Sequence, residues 1–267
     1  MLFDRVVLIV LDGCGAGPAP DAAEYGDVGE NSGDTLRNVW NATGGFDTPL
    51  LAESGFLTAA NVPIGERNLP APSASFCRLR PTSKGKDSIT GHWEMMGIVL
   101  DHPFPTYPDG FPPEVVSQFE AAIGRPVLGN EAASGTEIMQ RLGEQHLRTG
   151  NPIVYTSADS VFQVACHEDV VPVETLYEWC ETARQLLVAP HNVARVIARP
   201  FKGDAATGFT RTDRRRDFPL PPPHNLIDVI SQQIGQVHGI GIVPEAFAGR
   251  GFQPTSRTQS NEQHEAA

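Results

Sequence analysis

The chain has 267 residues, 40% of them hydrophobic, which suits one large or two modest globular domains. Its net charge of −12 excludes a general nucleic-acid binder. The charged Asp4 and Arg5 leave no room for a signal peptide's apolar stretch, and the run Val6–Leu11 is too short to cross a bilayer. A cytoplasmic protein with no membrane partner is expected. Cys14, Cys77, Cys166 and Cys180 show no CxxC pair or metal-ligand spacing, so buried reduced thiols are expected.

Val6–Leu11 is continuously apolar and ends in Asp12-Gly13. That pattern predicts a buried strand of a parallel sheet with Asp12 at its carboxyl end, where open α/β sheets place their chemistry. A Gly- and Pro-rich loop follows to about Gly33, and a helix begins there with Ser32 or Asp34 as its cap. A strand near Ser75–Pro81 leads through Ser83-Lys84-Gly85-Lys86 into the segment Asp87–Gly97. Asp101–Pro113 is rich in Pro, Tyr and Gly and reads as a crossover between domains.

Beyond it, Glu114–Ile123 and Thr136–Leu142 have the period of amphipathic helices. Ile153–Ser157 and Val161–Cys166 read as strands, Val173–Leu187 as a helix and Val193–Ala198 as a strand. The Pro-rich stretch Phe218–Pro223 reads as a return crossing, followed by a helix over Asn225–Ile234 and a strand over Val237–Val243. From Gln253 the chain is polar without hydrophobic period and is expected to fray.

Charge is unevenly placed. Between Arg195 and Asp217 seven cations face three aspartates, a net +4 that leaves −16 elsewhere. A local cationic site on an acidic chain suits a small anion, because guanidinium forks grip phosphate through paired bonds. Arg214–Arg216 read as a solvated loop. Arg195, Arg199 and Arg211 lie among Val, Ile, Phe and Pro, where an unpaired charge is costly, so they need a partner or ligand. His102, His146, His167, His191, His224 and His238 show no metal spacing and read as surface or capping residues.

Asp87-Ser-Ile-Thr-Gly-His-Trp-Glu-Met-Met-Gly97 sets Thr90 where a loop becomes a short helix. There the hydroxyl sits among free backbone N–H groups that favour phosphate. Two roles fit: a helix N-cap, or a hydroxyl that carries a phosphoryl group. His92 and Trp93 read as packing residues.

Six further segments, in order, resemble one family. They are Leu11–Ala22, Ala133–Ile138 (Ala-Ser-Gly-Thr-Glu-Ile), Val154–Val161 (Val-Tyr-Thr-Ser-Ala-Asp-Ser-Val), Arg195–Phe201, Phe209–Thr212 and Phe247–Gly251. With the Thr90 segment they resemble the phosphopentomutases, members of the alkaline-phosphatase-like metalloenzymes. The resemblance implies an α/β core with a mainly parallel sheet and an inserted α+β cap. The implied division is core 1–100, cap 101–220, core again 221–252, and a polar tail 253–267.

It also implies an isomerase that interconverts ribose or deoxyribose 1-phosphate and 5-phosphate through a phosphothreonine and a sugar bisphosphate, which acts as activator. Thr90 matches the catalytic threonine, and Asp12 with Thr90 matches ligands of two divalent cations, Mn²⁺ or else Mg²⁺. Ser157 and Asp159 match residues that bond the sugar. Arg195 and the backbone of Ile197 match substrate contacts, and Arg211 matches a phosphate-binding arginine. By themselves, Asp12 and Asp159 also read as ordinary loop and turn residues.

Two departures qualify the match. Ile242 stands where the family has a phosphate-binding lysine, a loss Lys202 or an arginine would have to cover. The family's Asp-His-Gly element and other late metal ligands have no counterpart here, which leads us to expect a C-terminally truncated chain with an incomplete core and little activity. A sibling phosphate enzyme, or a non-catalytic pentose-phosphate-binding module, is the competing expectation.

Overall fold

The computed structural model describes residues 4–11, 13–29, 32–62, 72–254, 258 and 260–266. The chain divides into two units, Met1–Pro81 and Thr82–Ala267.

The first unit is helical. Its α1 (Thr35–Thr43) starts at Asp34, whose carboxylate accepts from the Arg37 N–H and pairs with the Arg37 guanidinium at 2.9 Å. Of the two caps expected there, Asp34 takes the position. α1, α2 (Pro49–Glu53) and α3 (Phe56–Ala59) enclose a small core of Leu36, Trp40, Leu57, Ala60 and Val62.

Two expected strands do not form. Val6–Leu11 joins no sheet among the described residues and is exposed, Val6 at 82% and Ile9 at 74%. An apolar run becomes a parallel strand only when neighbours supply its ladder, and no described neighbour does. Residues 75–81 form an exposed loop, held by Arg78 donating to the Ala16 carbonyl at 2.8 Å.

The second unit holds α4 (Ser88–Met95), α5 (Pro113–Ile123), β1 (Leu128–Ala132), α6 (Gly135–Thr149), β2 (Ile153–Thr156) and β3 (Val161–His167). It continues with α7 (Val173–Leu186), β4 (Arg195–Asp204), β5 (Gly208–Arg211), β6 (Arg216–Pro219), α8 (Leu226–Gln233), α9 (Val243–Ala246) and α10 (Asn261–Ala266). The strands form one mixed sheet in the order β1-β2-β3-β4-β5, with β6 also on β4. β1–β2 and β3–β4 run parallel, and the other pairs are antiparallel. β4 is long because its outer edge serves two partners, β6 along Arg195–Ala198 and β5 along Phe201–Asp204.

Alternation along the strands sorts the core onto two faces. Val154, Phe162, Val164, Cys166, Val196 and Ala198 point to the side of α5 and α7, where Phe119, Leu176 and Cys180 meet them. Ile153, Tyr155, Ala165 and Phe201 point to the other side, under Ile138 and Met139 of α6. Each such fully buried aliphatic side chain contributes about 1.5–3 kcal/mol. The architecture is α/β, with helices on both faces of a multi-strand sheet, and all six strands lie between residues 101 and 220.

A separate cluster joins Ile89, Trp93, Ile98, Phe104, Ala194, Ile227, Ala246 and Phe247. Trp93 is buried, as expected of a packing residue, and its indole N–H donates to the Ala246 carbonyl at 2.9 Å.

The later expectations need several corrections. Phe218 and Pro219 belong to β6, because β4 offers an open edge for residues 216–219. Residues 237–242 form no strand among the described residues, and α9 follows them directly. Asn261–Ala266 is helical, although the tail was expected to fray.

His146 and His167 are buried. The His146 Nδ1–H donates to the Asn151 carbonyl at 2.7 Å, and Nε2 accepts from the His167 backbone N–H at 2.8 Å. Both ring nitrogens are therefore used in the neutral form, which a hydropathy pattern does not reveal.

All four cysteines are free thiols. Cys166 and Cys180 are buried as expected and burial pushes both thiols up, whereas Cys77 is exposed. Among the described residues no helix is long and apolar enough to cross a membrane.

Candidate functional site

The α6 face of the sheet is not fully covered. A cavity of about 300 Å³ lies there, lined by Ala133, Ser134 and Gly135 at the start of α6, and by Ser157 and Asp159 in the β2–β3 loop. Strands β3 and β4 add Val161, Gln163, Arg195, Ile197 and Arg199, while Arg211 ends β5 and Arg215 precedes β6. The geometry follows from register. Arg195, Ile197 and Arg199 alternate along β4 onto one face, and Ile197 stands opposite Gln163 on β3 and Asp217 on β6. All five residues expected to bind substrate, Ser157, Asp159, Arg195, Ile197 and Arg211, meet in this one cavity.

Four guanidinium groups converge there, only partly neutralised. Asp217, 3% exposed, accepts two bonds from Arg215 at 2.7 Å and one from Arg195 at 3.3 Å. Arg199 Nε donates to the Gln163 side-chain oxygen at 3.0 Å. Among the described residues no carboxylate pairs with Arg199 or Arg211. Burial, and then the Arg215 and Arg211 charges, lower the Arg199 pKa. An anion in the cavity would relieve that repulsion.

Near the cavity, the buried Tyr155 hydroxyl and Arg195 Nε have no hydrogen-bond acceptor among the described residues. The Tyr155 phenol lies beneath the cavity, beside Gly135 and the Arg211 guanidinium. Burial holds its pKa above the ordinary value, against the pull of Arg199, Arg211 and Arg215, so it stays a neutral donor.

Thr90 sits elsewhere in the same unit and does not line the cavity. It is 4% exposed in the first turn of α4, and Asp87 rather than Thr90 is the N-cap. Asp87 Oδ1 accepts from the Thr90 N–H at 2.9 Å, and Oδ2 accepts from the Thr90 hydroxyl at 2.6 Å. The cap role weighed for Thr90 thus passes to the residue three positions earlier, and the threonine hydroxyl is left on a carboxylate.

Asp12 lies outside the described residues. Among those described, no group of three or more His, Cys, Asp or Glu stands together as a metal cluster would require. Among the described residues Asp87 is the one carboxylate bonded to Thr90, too few donors for a two-metal site.

Reasoning from sequence missed Gln163, Arg215, Asp217 and Asp87. Gln163 and Asp217 were hidden because strand register, not spacing, aligns them with Ile197. Asp87 carried a usable signal, an aspartate three residues before Thr90 at a helix start. Arg215 is a correction: it was read as solvated, but it is 38% exposed and locked to Asp217.

Comparison with known proteins finds phosphopentomutases. A phosphopentomutase of Dictyoglomus thermophilum is 51% identical over 258 residues, 96% of this chain. The chain is homologous to the phosphopentomutases. Those of Herpetosiphon aurantiacus and Deinococcus radiodurans are 50% and 47% identical over 98% and 96% of the chain. The chain spans 64% of the length of the first of these phosphopentomutases and 66% of the other two. No family model matches the chain.

Proposed function

We propose that this chain carries the pentose-phosphate-binding part of a phosphopentomutase, an isomerase that exchanges a phosphate between C1 and C5 of ribose or deoxyribose. The observation that carries this reading is the cavity: five residues chosen by resemblance line one space of suitable size, ringed by four arginines. Ser157 and Asp159 suit sugar hydroxyls, and the arginines suit phosphate. Lys202 pairs with Glu168 at 3.4 Å and does not line the cavity. Arg199 and Arg215 are the cations that make good the lysine missing at Ile242, which itself is half exposed.

In this reading residues 101–220 are the substrate-binding cap, and the flanking parts belong to an alkaline-phosphatase-like core. Thr90 is the phosphoryl carrier. Phosphothreonine gives its phosphoryl group to a sugar hydroxyl: the bond from phosphorus to Thr90 Oγ1 breaks as the new ester forms, the hydroxyl proton is lost to solvent, and Oγ1 takes a proton from the protonated Asp87 carboxyl. The resulting bisphosphate then returns its other phosphoryl group to Thr90. As Oγ1 bonds to phosphorus its proton passes to Asp87 Oδ2, and the sugar oxygen leaves with the electron pair and takes a proton from solvent. The 2.6 Å bond between the two side chains supports the proton's path.

A second reading, a pentose-phosphate-binding module without catalysis, is favoured by the absence of Thr90 from the cavity lining. Calorimetry with ribose 5-phosphate, with and without chelator, combined with a mutase assay in Mn²⁺, separates the two. Binding indifferent to chelator with no turnover selects the module. Failure to bind ribose 5-phosphate under either condition rules out both.

A further inference from the structure

We infer that the phosphate in this cavity is received at the N-terminus of α6, by the backbone N–H groups of Gly135 and Thr136 together with the Tyr155 hydroxyl and Arg211. This rests on the pentose-phosphate reading and deepens it. Arg211 is expected at phosphate from the resemblance, while the helix end and Tyr155 are what the geometry adds.

Four observations converge on the spot. α6 has 15 residues, and its first intrahelical bond runs from the Ile138 N–H to the Ser134 carbonyl at 2.9 Å. The Ser134 side chain makes no cap bond, and among the described residues the N–H groups of Gly135 and Thr136 meet no acceptor. Such a helix end presents donors and a partial positive charge to an anion.

The second observation is independent of the helix. Tyr155 is 1% exposed, yet among the described residues its buried hydroxyl finds no acceptor for its proton; it lies against Gly135 with the Arg211 guanidinium, itself only a donor, as its polar neighbour. Leaving such a group unbonded is costly, so an acceptor arriving there is strongly favoured. Third, the Arg211 guanidinium reaches the same point and has no carboxylate of its own among the described residues. Fourth, a side chain at residue 135 would run into both Arg211 and the Tyr155 hydroxyl, so glycine is what lets these two groups approach the start of α6 this closely.

Two acids are near. Glu137, in the first turn, is exposed and does not line the cavity. Asp159 lines the cavity from the β2–β3 loop.

The test is calorimetry of the full chain, in chelator, with ribose 5-phosphate, inorganic phosphate and ribose, repeated on Tyr155→Phe. That change removes one oxygen and keeps the packing. Tyr155→Phe is expected to weaken both phosphate compounds about tenfold or more, and any ribose binding not at all. In ¹⁵N-labelled protein, the Gly135 and Thr136 amide resonances are expected to shift as inorganic phosphate is added.

Unchanged ribose 5-phosphate affinity in Tyr155→Phe, or still amides at saturation, overturns the subsite and leaves the pentose-phosphate reading standing. Inorganic phosphate binding that depends on Tyr155, with ribose 5-phosphate no tighter, keeps the subsite and removes the pentose. If neither anion binds the folded chain, the subsite is overturned as well.

Discussion

The Thr90 hydroxyl donates to Asp87 across 2.6 Å, while the other oxygen of the same carboxylate caps α4 through the Thr90 N–H. One aspartate thus fixes the helix start and holds the proton of the hydroxyl. The two tasks separate on substitution. Asp87→Asn keeps an acceptor for the cap and is expected to cost a few tenths of a kcal/mol, whereas Asp87→Ala costs about 1 kcal/mol. If Thr90 carries phosphoryl, Asp87→Asn lowers mutase turnover about 10²-fold, read in a coupled assay beside a thermal melt.

Asp217 holds two arginines, and its removal leaves them facing each other across β4 and β6. Asp217→Ala is expected to destabilise the chain by about 2–3 kcal/mol in urea titration. This is less than for a fully buried pair, because Arg215 is partly exposed and screened by water.

His146 gives the fold an acid-sensitive point. Burial, opposed by its bond to Asn151, lowers the imidazole pKa below its ordinary 6.5. The unfolded chain therefore binds the proton first as pH falls. The stability it contributes is fully present above about pH 6.5 and is lost as pH falls through the folded-state pKa. Urea midpoints measured from pH 7.5 down to 5 are expected to fall across that window, and His146→Gln to flatten the slope there.

Gly143 lies in α6 where a Cβ would come within 2.5 Å of the buried Phe209 ring. Alanine gains about 1 kcal/mol in helix propensity but overpacks the junction with β5, at about 1–3 kcal/mol. Gly143→Ala is expected to be net destabilising by about 1–2 kcal/mol in chemical denaturation.

Exposure of Val6–Leu11 yields a contrast. Ile9→Lys is expected to change stability by less than about 0.5 kcal/mol, while Ile138→Ala, at the contact of α6 with the sheet, costs about 2–5 kcal/mol. Equal losses in the two variants would show Ile9 to be buried.

Elements that carry their own signal were legible in the sequence. The apolar period of Glu114–Ile123 and Val173–Leu187 reappears in α5 and α7, and Ile153–Ser157 and Val161–Cys166 in β2 and β3. Where an element depends on a neighbour, reading failed. Val6–Leu11 has strand composition without a partner, while Arg216–Pro219 becomes a strand because β4 leaves an edge free. The extension of the Thr136–Leu142 helix to Thr149 was hidden because its later turns bury His146, a polar residue, in place of an apolar one.

The sequence alone determined the kinship, since 51% identity with a phosphopentomutase over 258 residues is read without coordinates, and it selected Ser157, Asp159, Arg195, Ile197 and Arg211. Tertiary structure decided what those residues share. The pairing of β4 with β3 and β6 aligns Gln163, Ile197 and Asp217, and the start of α6 comes to rest on Tyr155 and Arg211. Burial and hydrogen-bond satisfaction are properties of distances between segments far apart in the chain. No local pattern encodes which hydroxyl is left without an acceptor or which arginine lacks a counter-ion.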